Sequence, residues 1–226
     1  MRTDENGLVS AMQLLFDLDG TLTNSYSGIS KCIVHALTSL GYEAPEGDLN
    51  WCVGPPLWES FSILLKTRDS ELLNAAVEKY RERFSTIGIF ENEVYPGIEA
   101  ALVEFQEQGI EMSVATSKPT IYAERIIEHF DLAPFFKSIN GAKMNDEKAN
   151  KTSLIAGILE RENLASTDVI MIGDRKYDME GAKANQVTGW GVLWGFGTIE
   201  ELKSANACSL VETPEGLVDK FAEWKV

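Results

Sequence analysis

The chain combines short apolar runs with segments in which apolar residues recur every three or four positions. Residues 12–16 form such a run before Asp17 and Gly20, which is typical of a short strand buried on both faces. Beyond residue 96, predicted helices alternate with predicted strands, and this alternation predicts an α/β fold with a mostly parallel sheet. The predicted helices are 96–108, 120–129, 151–162, 177–185, 199–205 and one from 214, and the predicted strands are 111–115, 138–142, 169–172, 189–194 and 209–211.

The segment between the first strand and this alternating region has a purely helical pattern. Apolar residues recur at helical spacing over 27–40, 57–65 and 71–84, and no strand is predicted from 23 to 88. We therefore predict two domains. Residues 1–22 and 89–226 form the core, and residues 23–88, hereafter the insert, form an α-helical domain hinged near 23–26 and 87–90.

The net charge of the chain restricts its partners. A formal charge of −15 argues against a nucleic-acid surface, which needs clustered Lys and Arg. An anionic small molecule therefore needs a local positive field, from a metal, a lysine or helix N-termini.

The cysteines and the apolar segments indicate a cytoplasmic protein without a membrane partner. Three widely spaced cysteines without a CxxC pair predict reduced thiols. Residues 1–11 lack the basic start and the apolar stretch of a signal peptide. No segment reaches the ~20 apolar residues of a membrane span.

Two carboxylates follow the first predicted strand. Asp17 and Asp19 are two positions apart, so their side chains point the same way if the strand geometry continues. Ligands of open α/β sheets bind beyond the carboxyl ends of the strands. The pair therefore predicts an acidic functional site at this edge of the sheet.

Other strand ends carry polar residues that suit an anion and a cation. Thr116 and Ser117 follow the strand 111–115 and precede a predicted helix, a position that favours anion binding. Asp174 and Asp178 follow the strand 169–172. Three lysines, Lys143, Lys148 and Lys151, lie in the stretch that opens the helix 151–162.

Taken together and in this order, these motifs resemble the haloacid dehalogenase superfamily of phosphohydrolases. The motifs are Asp17-Leu18-Asp19-Gly20-Thr21, Thr116, a lysine before a helix, and Gly173-Asp174 followed by Asp178. The resemblance covers nearly the whole chain and implies a Rossmann-like core with an inserted α-helical cap. Gly54-Pro55-Pro56 resembles the cap loop of phosphoglycolate-phosphatase-like members.

The resemblance implies roles for the acids. Asp17 is expected to attack phosphorus and form an aspartyl-phosphate, and Asp19 to protonate the leaving oxygen and then activate water. Mg²⁺ is expected as the cofactor, bound by Asp17, the backbone carbonyl of Asp19, and Asp174. Asp178 is expected to orient a water beside the metal, or the lysine.

It also implies the groups that bind the substrate. Thr116 and Ser117 are expected to contact the phosphoryl group, and Gly54 and Pro55 the rest of the substrate. Lys151 is expected to neutralise the phosphoryl charge, because it opens a clear amphipathic helix, and Lys143 and Lys148 remain open as alternatives.

We therefore expect a Mg²⁺-dependent phosphatase that hydrolyses a small, phosphoglycolate-like phosphate monoester. The alternatives are a 5′-nucleotidase, a sugar-phosphate mutase, and a non-catalytic binding protein on the same fold. The acid at position 19 argues against a dehalogenase, and the complete set of motif acids argues against an inactive protein. We expect a monomer or a weak homodimer.

Overall fold

A computed structural model describes residues 12–144 and 150–224 and contains a six-stranded parallel sheet. The strand order is β5-β4-β1-β6-β7-β8, which places the first strand in the interior of the sheet. The α/β fold predicted from the sequence is confirmed. The strands are Gln13–Phe16 (β1), Thr23–Asn24 (β2), Glu93–Val94 (β3), Glu111–Pro119 (β4), Ser138–Ala142 (β5), Val169–Gly173 (β6), Thr188–Val192 (β7) and Ser209–Val211 (β8).

Nine α-helices accompany these strands in the described part of the chain. They are Tyr26–Ser39 (α1), Leu57–Leu64 (α2), Ser70–Phe84 (α3), Ile98–Glu107 (α4), Thr120–His129 (α5), Lys151–Glu162 (α6), Lys176–Ala184 (α7), Ile199–Ser204 (α8) and Pro214–Trp224 (α9). Helices α1 to α3 come from the insert, where α3 contacts both α1 and α2. The other helices alternate with the strands of the sheet.

The first strand is buried on both faces, as its unbroken apolar run predicts. Phe16 packs in one hydrophobic cluster, and Leu15 packs in another together with Met171. Successive side chains of a strand point to opposite faces, so each face of β1 meets its own apolar layer. Burial of one such side chain stabilises the fold by about 1.5–3 kcal/mol.

The pairing of β1 aligns three strand ends. β1 pairs with β4 on one side and β6 on the other, and the Asp17 N–H continues the pairing by donating to the Ile172 carbonyl at 2.9 Å. Because all three strands are parallel, the residues that follow them meet at one edge of the sheet. This edge carries the candidate site.

The structure corrects two predictions of secondary structure. The segment 23–88 was predicted to contain no strand, but Thr23–Asn24 forms β2 and pairs antiparallel with Glu93–Val94. Strands of two residues are too short to show a periodicity in sequence. β4 also runs to Pro119 rather than ending at residue 115, and its pairing with β5 shifts register between Ala115 and Pro119. The predicted domain boundaries stay a prediction.

The three cysteines are free, with Cys32 and Cys52 buried and Cys208 exposed. No described helix has both the length and the apolar character to cross a membrane. The prediction about a signal peptide concerns residues 1–11, which lie outside the described residues.

Candidate functional site

The loop after β1 brings the first two acids to the edge of the sheet. Asp17 and Asp19 are 5% and 8% exposed, so both carboxyl groups are largely removed from water. Gly20 adopts φ +90°, a conformation that side-chain-bearing residues rarely adopt. A Cβ at position 20 would also collide with the carboxylate of Asp174. The glycine therefore allows the loop to turn directly against the acid that follows β6.

Three carboxylates form a buried cluster beneath this loop. Oxygens of Asp17, Asp174 and Asp178 lie within 4.8 Å of one another, and all three residues are buried. The Lys151 Nζ lies 2.7 Å from Asp17 Oδ1 and 2.5 Å from Asp178 Oδ1. It also donates to the Ala115 carbonyl at 2.7 Å. One ammonium at the start of α6 thus contacts the residue after β1, the middle of β4 and the first turn of α7.

Burial and mutual repulsion change the pKa values in this cluster. Loss of water raises the pKa of Asp17 to about 7, although Lys151 opposes the shift. Burial, followed by the charges of Asp17 and Asp178, raises the pKa of Asp174 well above its usual range. Burial alone would lower the pKa of Lys151, but the neighbouring carboxylates of Asp17 and Asp178 raise it. The Lys151 ammonium therefore stays charged. Its single positive charge does not balance the three neighbouring carboxylates when all are ionised.

The donor set of this cluster fits a divalent cation. Asp17, Asp174 and Asp178 with Lys151 carry two formal negative charges in excess when all are ionised. Carboxylate oxygens are the ligands preferred by hard cations such as Mg²⁺. The oxygens of Asp178 are engaged by Lys151 and by the Arg175 N–H, which donates to Oδ2 at 3.1 Å. Both oxygens of Asp174 also accept hydrogen bonds, Oδ1 from the Thr21 hydroxyl at 3.4 Å and Oδ2 from the Phe196 N–H at 2.8 Å.

The end of β4 contributes hydroxyl and ammonium groups. The Thr116 hydroxyl accepts a hydrogen bond from the Lys118 N–H at 3.1 Å, and Thr116 as a whole is 1% exposed. The Lys118 Nζ lies 3.1 Å from Asp19 Oδ2, and its side chain is 7% exposed. The other oxygen of Asp19, Oδ1, is buried and has no hydrogen-bond partner in the described part of the chain.

A cavity of about 410 Å³ lies between the insert and the core. Asp17, Asp19, Thr116 and Ser117 line it from the core, and Gly54 and Pro55 line it from the insert. Aromatic side chains line its walls: Trp58, Tyr80, Phe84 and Tyr122. The cavity therefore connects acidic groups with an aromatic binding surface.

The insert loop around Gly54 contacts the core through Arg175. This arginine follows Asp174 directly, donates from Nη1 to the Val53 carbonyl, and donates from Nε to Glu201 Oε1 at 2.9 Å. Gly54 has φ +103°, and a Cβ there would lie 3.0 Å from Arg175 Cγ. The loop that covers the cavity is thus held against the residue next to an acid of the cluster.

The predicted residues fall into two groups in space. One group lines the cavity and the other surrounds the buried side of the cluster around Asp17. The cavity-lining residues are Asp17, Asp19, Thr116, Ser117, Gly54 and Pro55, and the residues clustered with Asp17 are Lys151, Asp174 and Asp178. Among the candidate lysines, Lys151 contacts the acids, Lys143 lines the cavity, and Lys148 lies outside the described residues.

Lys118 and Arg175 contact site residues, although the sequence patterns predicted no role for either. Lys118 had a detectable signal, because it lies two positions beyond Thr116 at the same strand end. Arg175 had none, because its contact with Val53 joins parts of the chain 122 positions apart.

Comparisons with known proteins show the family that this chain resembles. The family model described as haloacid dehalogenase-like hydrolase matches residues 14–192. A solved structure described as a predicted phosphatase from Clostridium acetobutylicum superposes with a TM-score of 0.90 at 41% identity. The match covers 95% of this chain and 100% of that one.

Two curated relatives are enzymes that act on phosphate esters. A 5′-nucleotidase from Pseudomonas aeruginosa is 40% identical over 194 residues, which are 84% of this chain and 86% of the relative. A phosphoglycolate phosphatase from Vibrio parahaemolyticus is 25% identical over 223 residues, covering 93% of this chain and 92% of the relative.

Proposed function

The chain belongs to the haloacid dehalogenase-like hydrolase family and is a phosphoric monoester hydrolase, and we propose that it is a Mg²⁺-dependent enzyme that hydrolyses nucleoside monophosphates through an aspartyl-phosphate. One observation carries the chemistry. Asp17 lines the cavity, with Lys151 2.7 Å from one of its oxygens.

The first step transfers the phosphoryl group to Asp17. A carboxylate oxygen of Asp17 attacks phosphorus in line, and the ester P–O bond breaks as its electron pair moves to the leaving oxygen. Asp19 donates a proton to that oxygen, so that an alcohol leaves. Thr116 donates a hydrogen bond to a phosphoryl oxygen, and Lys151 favours the ionised form of Asp17 against the effect of burial.

The second step regenerates the enzyme. Asp19, now a carboxylate, takes a proton from water as the water oxygen attacks phosphorus. The bond between phosphorus and Asp17 breaks, and its electron pair returns to the carboxylate. Inorganic phosphate leaves, and Asp19 is again protonated for the next substrate.

A Mg²⁺ ion held by Asp17 and Asp174, with the Asp19 carbonyl as a further ligand, would neutralise negative charge on the phosphoryl group when bound. Asp178 is engaged by Lys151 and by the Arg175 N–H, so its role in this proposal is to orient the lysine. The formal excess of two negative charges in the cluster supports a divalent ion.

The size and the walls of the cavity support a nucleoside monophosphate as the substrate. A cavity of about 410 Å³ is in the range that accommodates an aromatic base, a sugar and a phosphate together. Trp58, Tyr80, Phe84 and Tyr122 offer apolar rings on which a base can stack. The 5′-nucleotidase relative supports the same substrate class.

A phosphoglycolate-like ester is the second candidate. Arg81 and Lys143 line the cavity and would attract the carboxylate of such a substrate. A two-carbon ester leaves most of the cavity and all of its aromatic walls without a function, so we place it second.

A substrate panel tests both parts of this proposal. Phosphate release with Mg²⁺ is measured for nucleoside 5′-monophosphates, phosphoglycolate, sugar phosphates and p-nitrophenyl phosphate, with Asp17→Asn as the control. We expect the highest kcat/KM for a nucleoside monophosphate. The highest value for phosphoglycolate would overturn the substrate class alone. A folded Asp17→Asn that keeps more than a few per cent of the wild-type rate would overturn the mechanism.

A further inference from the structure

Lys118 is the cation closest to the proposed general acid in the described part of the cavity wall. Its Nζ lies 3.1 Å from Asp19 Oδ2, and the two side chains are only 7% and 11% exposed. The ion pair is therefore poorly screened by water, and the carboxyl group has little freedom to rotate.

The two oxygens of Asp19 have different surroundings. Oδ2 is occupied by Lys118, whereas Oδ1 is buried without a hydrogen-bond partner among the described residues. A buried oxygen without a partner is costly unless a ligand or water satisfies it. Since Asp19 lines the cavity, a bound substrate is a natural partner for Oδ1.

The insert also fixes the position of Lys118. The Nζ lies 4.5 Å from the centroid of the Phe84 ring, in the geometry of a cation–π contact. Phe84 is the last residue of α3, is 2% exposed, and stacks on Tyr80 with ring centroids 5.2 Å apart. The ammonium is thus placed between a core acid and a rigid aromatic pair of the insert.

We propose that Lys118 is a positioning residue that holds Oδ2 of Asp19, so that Oδ1 is the oxygen that exchanges the proton with the leaving group. This inference rests on the proposed role of Asp19. During phosphoryl transfer the Oδ1–H bond breaks, an O–H bond forms on the leaving oxygen, and the ester P–O electron pair moves to that oxygen. Lys118 keeps its protons and donates to Oδ2 throughout, because both a carboxylate and the carbonyl of a carboxylic acid accept.

A lysine that positions the general acid should have an effect that depends on the leaving group, whereas a lysine that only binds the substrate should not. A leaving group that is stable as an anion needs little protonation, whereas a poor leaving group depends on the general acid. Loss of Lys118 should therefore harm esters of weakly acidic alcohols and phenols more than it harms p-nitrophenyl phosphate. A lysine that only attracts phosphate would affect all esters equally.

The experiment compares phenyl phosphate with p-nitrophenyl phosphate, two esters of similar size with different leaving groups. In Lys118→Met we expect kcat/KM to fall on the order of tenfold further for phenyl phosphate than for p-nitrophenyl phosphate. Lys118→Arg should bring the ratio of the two kcat/KM values most of the way back to that of the wild type, because arginine returns a cation to the site. Lys143→Met removes another lysine of the same cavity and should leave the ratio of the two values unchanged.

The outcomes separate this inference from the proposed function. Asp19→Asn should show the same selective loss as Lys118→Met, with a larger magnitude. If Asp19→Asn shows the selective loss and a folded Lys118→Met loses both activities equally, Lys118 does not position the acid and the inference is wrong. If Asp19→Asn hydrolyses both esters at the wild-type rate, the proposed function itself fails. Circular dichroism establishes that each variant is folded.

Discussion

The Lys151 Nζ lies 2.7 Å from Asp17 Oδ1, and the side chains of these two residues are 3% and 6% exposed. An ion pair this deeply buried stabilises the fold only while both partners are present, because one charge left alone has lost both water and its counter-ion. The same ammonium reaches Asp178. Lys151 therefore links the buried acids structurally and favours the ionised form of the proposed nucleophile, against the effect of burial.

Removal of Lys151 should destabilise the metal-free protein strongly. We expect Lys151→Met to lower the free energy of unfolding by about 3–5 kcal/mol, because two buried carboxylates lose their counter-ion. Added Mg²⁺ should recover part of this loss. Urea denaturation with and without Mg²⁺ measures both effects.

A lysine in an exposed ion pair provides the control for this prediction. Lys220 lies 3.0 Å from Glu223, with side-chain exposures of 35% and 70%. Lys220→Met should change the free energy of unfolding by less than about 1 kcal/mol. Equal losses in the two variants would contradict the structural role of Lys151.

Metal binding should support both activity and stability. Chelation with EDTA should abolish phosphate release, and Mg²⁺ should restore it. Ca²⁺ should support activity poorly, because it takes more ligands and favours bidentate binding of the attacking carboxylate. Mg²⁺ should also raise the melting temperature of the wild type, since the proposed site is assembled only in the folded protein.

Asp174→Asn should lose most of this thermal shift, because it removes one of the buried carboxylates. Asp219→Asn, which changes an exposed acid of α9, should keep the shift. Full activity of the wild type in excess EDTA would rule out the proposed metal dependence.

The loop around Gly54 should affect the choice of substrate. Gly54→Val introduces a Cβ 3.0 Å from Arg175 Cγ at a backbone φ of +103°. We expect the displaced loop to lower kcat/KM for nucleoside monophosphates more than for p-nitrophenyl phosphate. A substrate panel on both proteins measures the ratio.

Gly47→Val separates steric contact from backbone strain. Gly47 has a similar φ of +85°, but a Cβ there has no atom within 4 Å. This variant should carry comparable strain and leave the ratio of the two kcat/KM values unchanged. If Gly54→Val instead lowers kcat/KM equally for every ester, the loop contributes to folding or closure in general and does not select the substrate.

Glu91 should stabilise the protein in a manner that depends on pH. It accepts from Arg83 at 2.6 Å and from Lys31 at 2.9 Å, and the hydrogen bond from Arg83 is the main cause that lowers its pKa from 4.5 to about 2. A lowered pKa in the folded state adds stability above the unfolded pKa, and this stability is lost as pH falls through the folded value.

We therefore expect Glu91→Gln to be less stable than the wild type by about 1 kcal/mol at neutral pH. The difference should shrink as pH falls from 4.5 towards 2, the two pKa values that bound the effect. Denaturant unfolding over a pH series measures it. A difference that stays constant over this interval would show that the charge of Glu91 does not contribute.

Local patterns explain why much of the architecture was predictable. The strand before Asp17 could be predicted from its apolar run, because each face of β1 packs in its own apolar layer. The helix from Lys151 was predicted with its observed bounds, because its apolar spacing is regular. The two-residue strand at Thr23–Asn24 was missed, because its pairing with Glu93–Val94 depends on contacts distant in sequence.

The same distinction applies to the candidate site. The proximity of Asp17 and Asp174 was predictable, because parallel strands end at a common edge, which is a general property of the fold. The contact of Arg175 with the Val53 carbonyl depends on how the insert lies on the core, and no local pattern encodes it. The pairing of Lys118 with Asp19 also needs two distant strand ends to be adjacent.

The most direct test of the account is the rate of phosphate release by Asp17→Asn. Asparagine has nearly the same shape as aspartate, and Asp178, 2.5 Å from Lys151, remains as a counter-ion, so the variant should fold. The account predicts that Asp17→Asn loses nearly all turnover on every ester, while Asp219→Asn keeps the wild-type rate. A folded Asp17→Asn that retains more than a few per cent of the wild-type rate would contradict the assignment of Asp17 as the nucleophile.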